Sequence, residues 1–165
     1  MPRGNSIIVT AEPRGRRKWV KIDGTPKPGT IMTPKPATAI DANGNIEMEP
    51  AGTSAGIMAA DGDRIPVAVL LEDSRQGKTV SDAYVDADLG EVYYPLPGEE
   101  LNVLFLNQSG TADDVINGTT LLIVDDGTGQ VIPTTGTPES EPFLALESIT
   151  DPTADQLVHV LFTGQ

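Results

Sequence analysis

The stretch TTLLIVDDGTGQVIPTT, residues 119–135, decides the fold class. Two arms of aliphatic and β-branched residues flank the sequence DDGTG, whose glycines can take the positive φ that a hairpin turn or bulge requires. A β-hairpin is therefore predicted here. Comparable short runs recur along the whole chain, and Pro or Gly interrupts almost every window that could hold a helix.

We therefore predict an all-β chain that folds as a compact β-barrel or β-sandwich. The stretch IPVAVLLED, residues 65–73, is continuously apolar, as is typical of a strand covered on both faces. DANGN, residues 41–45, predicts a turn before an alternating strand. No internal repeat of about 20–50 residues is evident. The candidate strands are residues 6–11, 18–22, 29–33, 45–49, 65–72, 90–96, 100–107, 119–124, 130–134, 143–149 and 157–162.

The charges divide the chain into two parts. Of the 165 residues, the first 35 hold eight of the eleven Lys and Arg but only two acids, whereas the formal net charge of the whole chain is -13. The stretch PKPGTIMTPKP, residues 26–36, is rich in proline, which cannot donate to a strand ladder. We therefore predict an extended basic N-terminal arm over residues 1–35 and an acidic β-domain over residues 36–165.

Composition excludes several classes of site and partner. The chain has no cysteine, which excludes disulfides and thiolate metal sites. The sequence pI near 4.2 argues against a nucleic-acid partner, because phosphates would meet a body of their own sign. No run approaches the ~20 apolar residues of a membrane helix, and the start does not resemble a signal peptide. We expect a protein made in the cytoplasm, with no membrane partner.

No constellation of side chains predicts catalysis, a metal site or a cofactor. His159 is the single histidine, and its place in an alternating strand favours a structural or surface role. Paired acids such as Asp125 and Asp126 lie beside Gly or Pro and are typical of solvated turns. Asp86 and Asp88 begin like a calcium loop, but the following residues do not fit one. The chain is therefore expected not to be an enzyme.

The basic arm is the strongest candidate for binding. Trp19 is the only tryptophan, and Trp and Arg are the residue types that most often anchor interfaces. The predicted partner is acidic, either a protein lattice or the body of a neighbouring copy, and nucleic acid is the rival. A solvated, disordered tail is the alternative. The candidate contact residues are Arg14, Arg16, Arg17, Lys18, Trp19 and Lys21.

Four segments in this order resemble the decoration, or cement, proteins of tailed-bacteriophage capsids. They are PGTIM (28–32), IPVAVLLED (65–73), GTTLLIVDDGTGQVIPTT (118–135) and FLALESITDPTADQLVHVLF (143–162). The resemblance implies a β-barrel or β-sandwich on the outer surface of the virion, often trimeric, which clamps adjacent major capsid protein subunits. It also implies a role for the N-terminal segment in reaching neighbouring subunits.

Two other functions stay open at the level of sequence. A carbohydrate- or cell-surface-binding β-module would suit the barrel-like pattern and the acidic loops. A carboxylate-dependent hydrolase would rest on the acid pairs alone.

Overall fold

The computed structural model describes residues 6–35, 40–41, 43–51, 68–73, 76, 79–106, 115, 117–125, 128–134, 142–150 and 156–164. The chain is all-β, as predicted. The described residues form ten strands, β1 (Arg16–Ile22), β2 (Ile31–Pro34), β3 (Glu47–Pro50), β4 (Ala68–Leu70), β5 (Leu89–Tyr94), β6 (Glu100–Phe105), β7 (Leu121–Val124), β8 (Val131–Thr134), β9 (Phe143–Ala145) and β10 (Gln156–Phe162).

Ten of the eleven candidate strands overlap one of these elements. Residues 6–11 form only a single antiparallel bridge, between Ile8 and Leu101. The hairpin predicted within residues 119–135 is confirmed, because β7 and β8 pair antiparallel from Leu121 with Thr134 to Val124 with Val131. In the described part of the chain, no helix is long and apolar enough to cross a membrane.

The strands close into two five-stranded barrels that follow one another along the chain. The first barrel has the order β1-β3-β2-β4-β5 and the second has the order β10-β6-β8-β7-β9. In the first barrel β1 pairs parallel with β3, and in the second β6 pairs parallel with β8. Every other pair is antiparallel. When β1–β5 are matched in order with β6–β10, every pairing has its counterpart. The chain thus contains one barrel topology twice.

Alternation along the first-barrel strands supplies two apolar surfaces. Met32, Ala68 and Val92 belong to a cluster inside the first barrel, together with Val20, Ile22, Met48, Leu70 and Tyr84. Their sequence neighbours Ile31, Val69 and Tyr93 belong instead to the larger cluster that fills the second barrel. Because successive strand residues point to opposite faces, the first barrel buries its outer face against the second.

The backbone of the two barrels meets at two glycines. Gly129, in the β7–β8 turn, donates to the Ala51 carbonyl at 2.9 Å and accepts from the Ile31 amide at 2.7 Å. Gly29 accepts from the Leu104 amide of β6 at 2.9 Å. Gly129 has φ +66°, and a Cβ there would lie 2.4 Å from the Ile31 carbonyl oxygen. Only glycine permits so close an approach.

The predicted boundary near residue 36 does not separate an arm from a body. Residues 16–22 and 31–34, assigned from the sequence to the N-terminal arm, are β1 and β2 of the first barrel. Pro26 and Pro28 are buried, and Pro34 is the last residue of β2, in register with Met48. These three prolines therefore lie within or beside paired strands and do not form a tether, whereas Pro36 lies outside the described residues. Residues 1–5 lie outside the described residues.

The segment before β1 belongs to the second barrel. Ile7 is fully buried in the larger core cluster, and its carbonyl accepts from the Asn102 amide of β6 at 2.8 Å. The Val9 amide donates to the Glu100 carbonyl at 3.1 Å. Residues 7–10 therefore lie along one edge of β6 before the chain crosses to the first barrel.

Candidate protein-interaction surface

The six predicted contact residues lie together on β1 and just before it. Arg14 precedes the strand, and the other five lie within it. All are exposed except Lys21, which is partly buried. We call these six residues the β1 surface. The sequence predicted these residues as contacts on an extended arm; the structure places them on and just before a barrel strand, and their contact role stays a prediction.

Pairing with β5 arranges the outer face of β1. Val20 and Ile22 point into the core, so Arg17, Trp19 and Lys21 share the opposite face. Lys21 lies opposite Leu89, which places Leu89 diagonal to Trp19 on that face. Trp19 is 42% exposed and Leu89 46% exposed. An apolar pair is therefore present among the cations.

The cations of the β1 surface differ in their partners. Arg17 Nη1 lies 3.3 Å from Glu91 Oε2, and Lys21 Nζ lies 3.7 Å from Glu47 Oε1. For Arg14, Arg16 and Lys18, no ion pair is found within the described residues. These three cations are the ones available to an acidic partner.

Glu99, which follows Gly98 in the connection between β5 and β6, anchors the start of the β1 surface. It is 1% exposed. Its Oε1 accepts from the backbone amides of Arg14 at 2.5 Å and Gly15 at 3.2 Å. Its Oε2 accepts from the Tyr93 hydroxyl at 2.8 Å and the Leu96 amide at 2.7 Å. One carboxylate thus ties residues 14–15 to the connection between the barrels.

The ionisation of this cluster follows from burial and hydrogen bonding. Burial alone raises the pKa of Glu99, but the four donated hydrogen bonds outweigh it, and the pKa lies below its usual value. Two effects raise the pKa of Tyr93 to about 12: burial is the larger, and the hydrogen bond to Glu99 is the next. Glu99 is therefore the acceptor and Tyr93 the donor at neutral pH.

A groove of about 250 Å³ opens where the two barrels meet. Its polar lining comes from Thr25, Lys27, Thr30, Thr128 and Gln130, and its apolar lining from Pro26, Pro50 and Leu104. Lys27 and Thr128 are exposed at its rim. The groove can receive a small polar group, and it does not include the β1 surface.

Described acids and the histidine make local contacts. His159 Nε2 lies 3.0 Å from Glu100 Oε2, and the His159 amide donates to Glu147 Oε1 at 2.6 Å. Asp86 and Asp88 accept from the backbone amides of Gly24 and Val85, both at 3.0 Å, and so brace turns. Within the described ranges, no group of three or more His, Asp or Glu side chains is placed to hold a metal ion. The acids at 61, 63, 113, 114 and 126 lie outside the described residues.

Comparison with known proteins finds similarity to a solved phage structure. No protein-family model matches the chain, and no curated protein matches it. Among solved structures, the chain is similar to the head fiber gp8.5 N base of bacteriophage phi29, with a TM-score of 0.52 and 14% sequence identity. The similarity covers 90% of this chain and 93% of that chain. At this identity the match establishes the fold, and the chain has the fold of that head-fiber base over nearly its whole length.

Proposed function

We propose that the chain is a structural protein of a bacteriophage virion that binds the outer surface of the capsid and bridges major capsid protein subunits. The observation that carries the proposal is the fold shared with a phage head-fiber base over 90% of the chain. A fold can host several functions, so the β1 surface supplies the second argument. The protein acts by binding and not as an enzyme.

The β1 surface has the chemistry of a protein contact. Trp19 and Leu89 supply exposed apolar area on the face of β1 that also carries Arg17 and Lys21. Arg16 and Lys18 alternate onto the other side of the strand and Arg14 precedes it, and these three exposed cations lack an ion pair in the described residues. Each exposed ion pair contributes only about 0.2–1 kcal/mol. The proposal therefore includes a homotrimer, because several linked contacts raise the overall affinity by about 100-fold or more.

Charge reversal at the β1 surface tests this proposal. The double variant Arg16→Glu with Lys18→Glu is expected to weaken binding to undecorated heads by about tenfold or more, because two attractive contacts become repulsive. Binding would be measured by co-sedimentation with purified heads across a salt series. Cryo-electron microscopy of the decorated heads would show the protein as regular protrusions.

Lys27→Glu provides a matched control. Lys27 is also exposed and also has no ion pair within the described residues, but it lies at the groove and not on β1. Its reversal is expected to leave head binding within about twofold of the parent. Equal losses for Lys27→Glu and the double variant would contradict a role for the β1 surface. Absence of the protein from all heads would contradict the proposed function.

The groove between the barrels favours a second candidate, a carbohydrate- or cell-surface-binding module. Hydroxyl and amide side chains at Thr25, Thr30, Thr128 and Gln130 are suited to hydrogen bonding with a sugar. A glycan array with the parent and with Thr128→Val would test it. Specific binding that Thr128→Val abolishes would support this function, and an array without hits would remove it.

A further inference from the structure

Among the residues that the structure describes, nothing pairs with one edge of β1, whereas the corresponding edge of the second barrel is filled. We propose that this edge receives an extended acidic segment of a partner chain as an additional strand. The identity of that partner as a capsid subunit rests on the proposed function. The existence of the open edge does not.

Backbone directions define the open edge. The Glu91 carbonyl accepts from the Leu71 amide at 2.9 Å, so it points toward β4 and away from β1. Because Trp19 lies opposite Glu91 in an antiparallel pair, the Trp19 amide and carbonyl point away from β5. The Lys21 amide, which has the same direction, donates to the Ile46 carbonyl at 2.8 Å. Arg17 shares this direction.

β3 covers only the end of this edge. It runs parallel to β1, and its register starts with Glu47 opposite Lys21. Just before it, the Asp41 amide donates to the Asn45 carbonyl at 2.8 Å, and the Gly44 amide donates to the Asp41 carbonyl at 3.0 Å. In the described part of the chain, no hydrogen bond involves the Trp19 amide or the Arg17 carbonyl on this side.

The second barrel shows what such an edge accepts. The Asp23 amide donates to the Met48 carbonyl of β3, and the Leu106 amide donates to the Val131 carbonyl of β8. Asp23 and Leu106 therefore occupy equivalent positions in the two barrels. Trp19 and Asn102, four positions earlier, are equivalent in the same way. The Asn102 amide donates to the Ile7 carbonyl at 2.8 Å. The Trp19 amide has no such acceptor in the described chain.

Arg17 and Glu100, six positions before Asp23 and Leu106, are also equivalent, and among the described residues only Glu100 has a partner along this edge. The Glu100 carbonyl accepts from the Val9 amide at 3.1 Å, whereas the equivalent Arg17 carbonyl lacks a donor in the described chain. An extended segment bridged antiparallel to β6, through Ile8 and Leu101, fills the second-barrel edge. An extended segment is therefore the occupant that this edge geometry accepts, since exposed edges recruit strands through main-chain hydrogen bonds.

Charge selects the chemistry of the occupant. A strand beside β1 would lie next to Arg16, Arg17 and Lys18, and cross-strand pairs of opposite charge stabilise a sheet. A second copy that offered its own β1 would place like charges opposite one another, which is destabilising. A segment that alternates acids with β-branched residues satisfies both the charge and the strand geometry.

Two variants at one position isolate the main-chain contact. Trp19→Ala removes the indole and keeps the amide donor, whereas Trp19→Pro removes both. Proline is tolerated where the missing N–H faces away from the paired strand. Both variants of the full chain would be checked by circular dichroism and thermal unfolding. Arg17→Pro against Arg17→Ala repeats the comparison if Trp19→Pro does not fold.

The probe is a seven-residue synthetic peptide that alternates glutamate with threonine and valine, and its control carries lysine in place of every glutamate. We expect the acidic peptide to slow hydrogen exchange of the Trp19 amide by about tenfold or more and the lysine peptide to leave it unchanged. Trp19→Pro is expected to bind the acidic peptide about tenfold more weakly than Trp19→Ala.

The outcomes separate this inference from the proposed function. Equal peptide binding by Trp19→Pro and Trp19→Ala, or unchanged exchange at Trp19, overturns the inference even if the protein decorates heads. Peptide binding with no head binding supports the edge and overturns the capsid role. Self-association that Trp19→Pro alone abolishes, measured by analytical ultracentrifugation, would make a second copy the occupant and overturn the acidic partner.

Discussion

Glu99→Gln is expected to lower the free energy of unfolding by about 3 kcal/mol at pH 7. The two carboxylate oxygens accept four hydrogen bonds, from Arg14, Gly15, Tyr93 and Leu96. A glutamine amide has one acceptor oxygen, so its NH₂ group must face two donors on one side, and at least one backbone amide loses its partner in a buried site. Urea unfolding of the full chain measures the change.

The adjacent residue provides a matched control. Glu100→Gln makes the same chemical change at a half-exposed side chain whose Oε2 lies 3.0 Å from His159 Nε2. It is expected to cost less than about 1 kcal/mol. Tyr93→Phe removes one of the four donors and also the hydroxyl that accepts from the Gly15 amide at 2.8 Å, and it should cost about 1–2 kcal/mol. Equal costs for Glu99→Gln and Glu100→Gln would contradict the anchoring role of Glu99.

The effect of Glu99 also depends on pH in a defined direction. The pKa of Glu99 is lower in the folded state than the ordinary value of 4.5, so the unfolded chain binds its proton more readily. The stabilisation is therefore complete above about pH 4.5 and is lost as the pH falls through the folded-state pKa. The difference in unfolding free energy between the parent and Glu99→Gln should shrink in that acidic range. A constant difference from pH 7 to pH 3 would contradict this assignment.

Gly129→Ala is expected to lower the free energy of unfolding by about 3 kcal/mol. Gly129 combines φ +66° with a backbone contact across the barrel interface, where a Cβ would lie 2.4 Å from the Ile31 oxygen and 2.5 Å from Thr30 Cγ2. The methyl group must therefore displace the β7–β8 turn and weaken its hydrogen bonds to Ile31 and Ala51. Thermal and urea unfolding would measure the loss.

Gly118→Ala separates backbone conformation from crowding. Gly118 has a similar φ of +70°, but a Cβ there meets nothing within 4 Å. Its substitution is expected to cost about 1 kcal/mol, the ordinary penalty of a left-handed conformation. The excess cost at Gly129 then reports the contact between the barrels. If Gly129→Ala cost no more than Gly118→Ala, the close contact between the two barrels at this turn would be contradicted.

Local patterns were sufficient to predict most of the strands, whereas the contact role of the β1 surface stays a prediction. Alternation in β10 places Val158, Val160 and Phe162 in the core and His159 on the other face, as the sequence indicated. The β7–β8 hairpin followed from its turn residues. Trp19 and the cations around it could be singled out because an aromatic residue within a charged run is unusual wherever the chain places it.

The remaining features depend on contacts between distant segments. The cations at residues 14–21 suggested an arm, but β1 needs apolar residues only at Val20 and Ile22 to join the core, and its other side chains can be polar. Glu99 lies in a turn like any solvated acid, and only the approach of residues 14–15 reveals its role. No sequence repeat accompanies the doubled barrel topology. Strand pairing uses backbone groups, and burial requires only that the inward-facing side chains be apolar, so the other side chains can differ between the barrels.

The placement of Ile7 against β6 has a consequence for biosynthesis. Ser6 and Asn102, which share a hydrogen bond, are 96 positions apart, so the segment before β1 finds its binding site only after β6 has been synthesised. Such non-local contacts slow folding and leave apolar residues unprotected in the nascent chain. The two barrels therefore do not fold independently of each other, because residues before the first barrel complete the second.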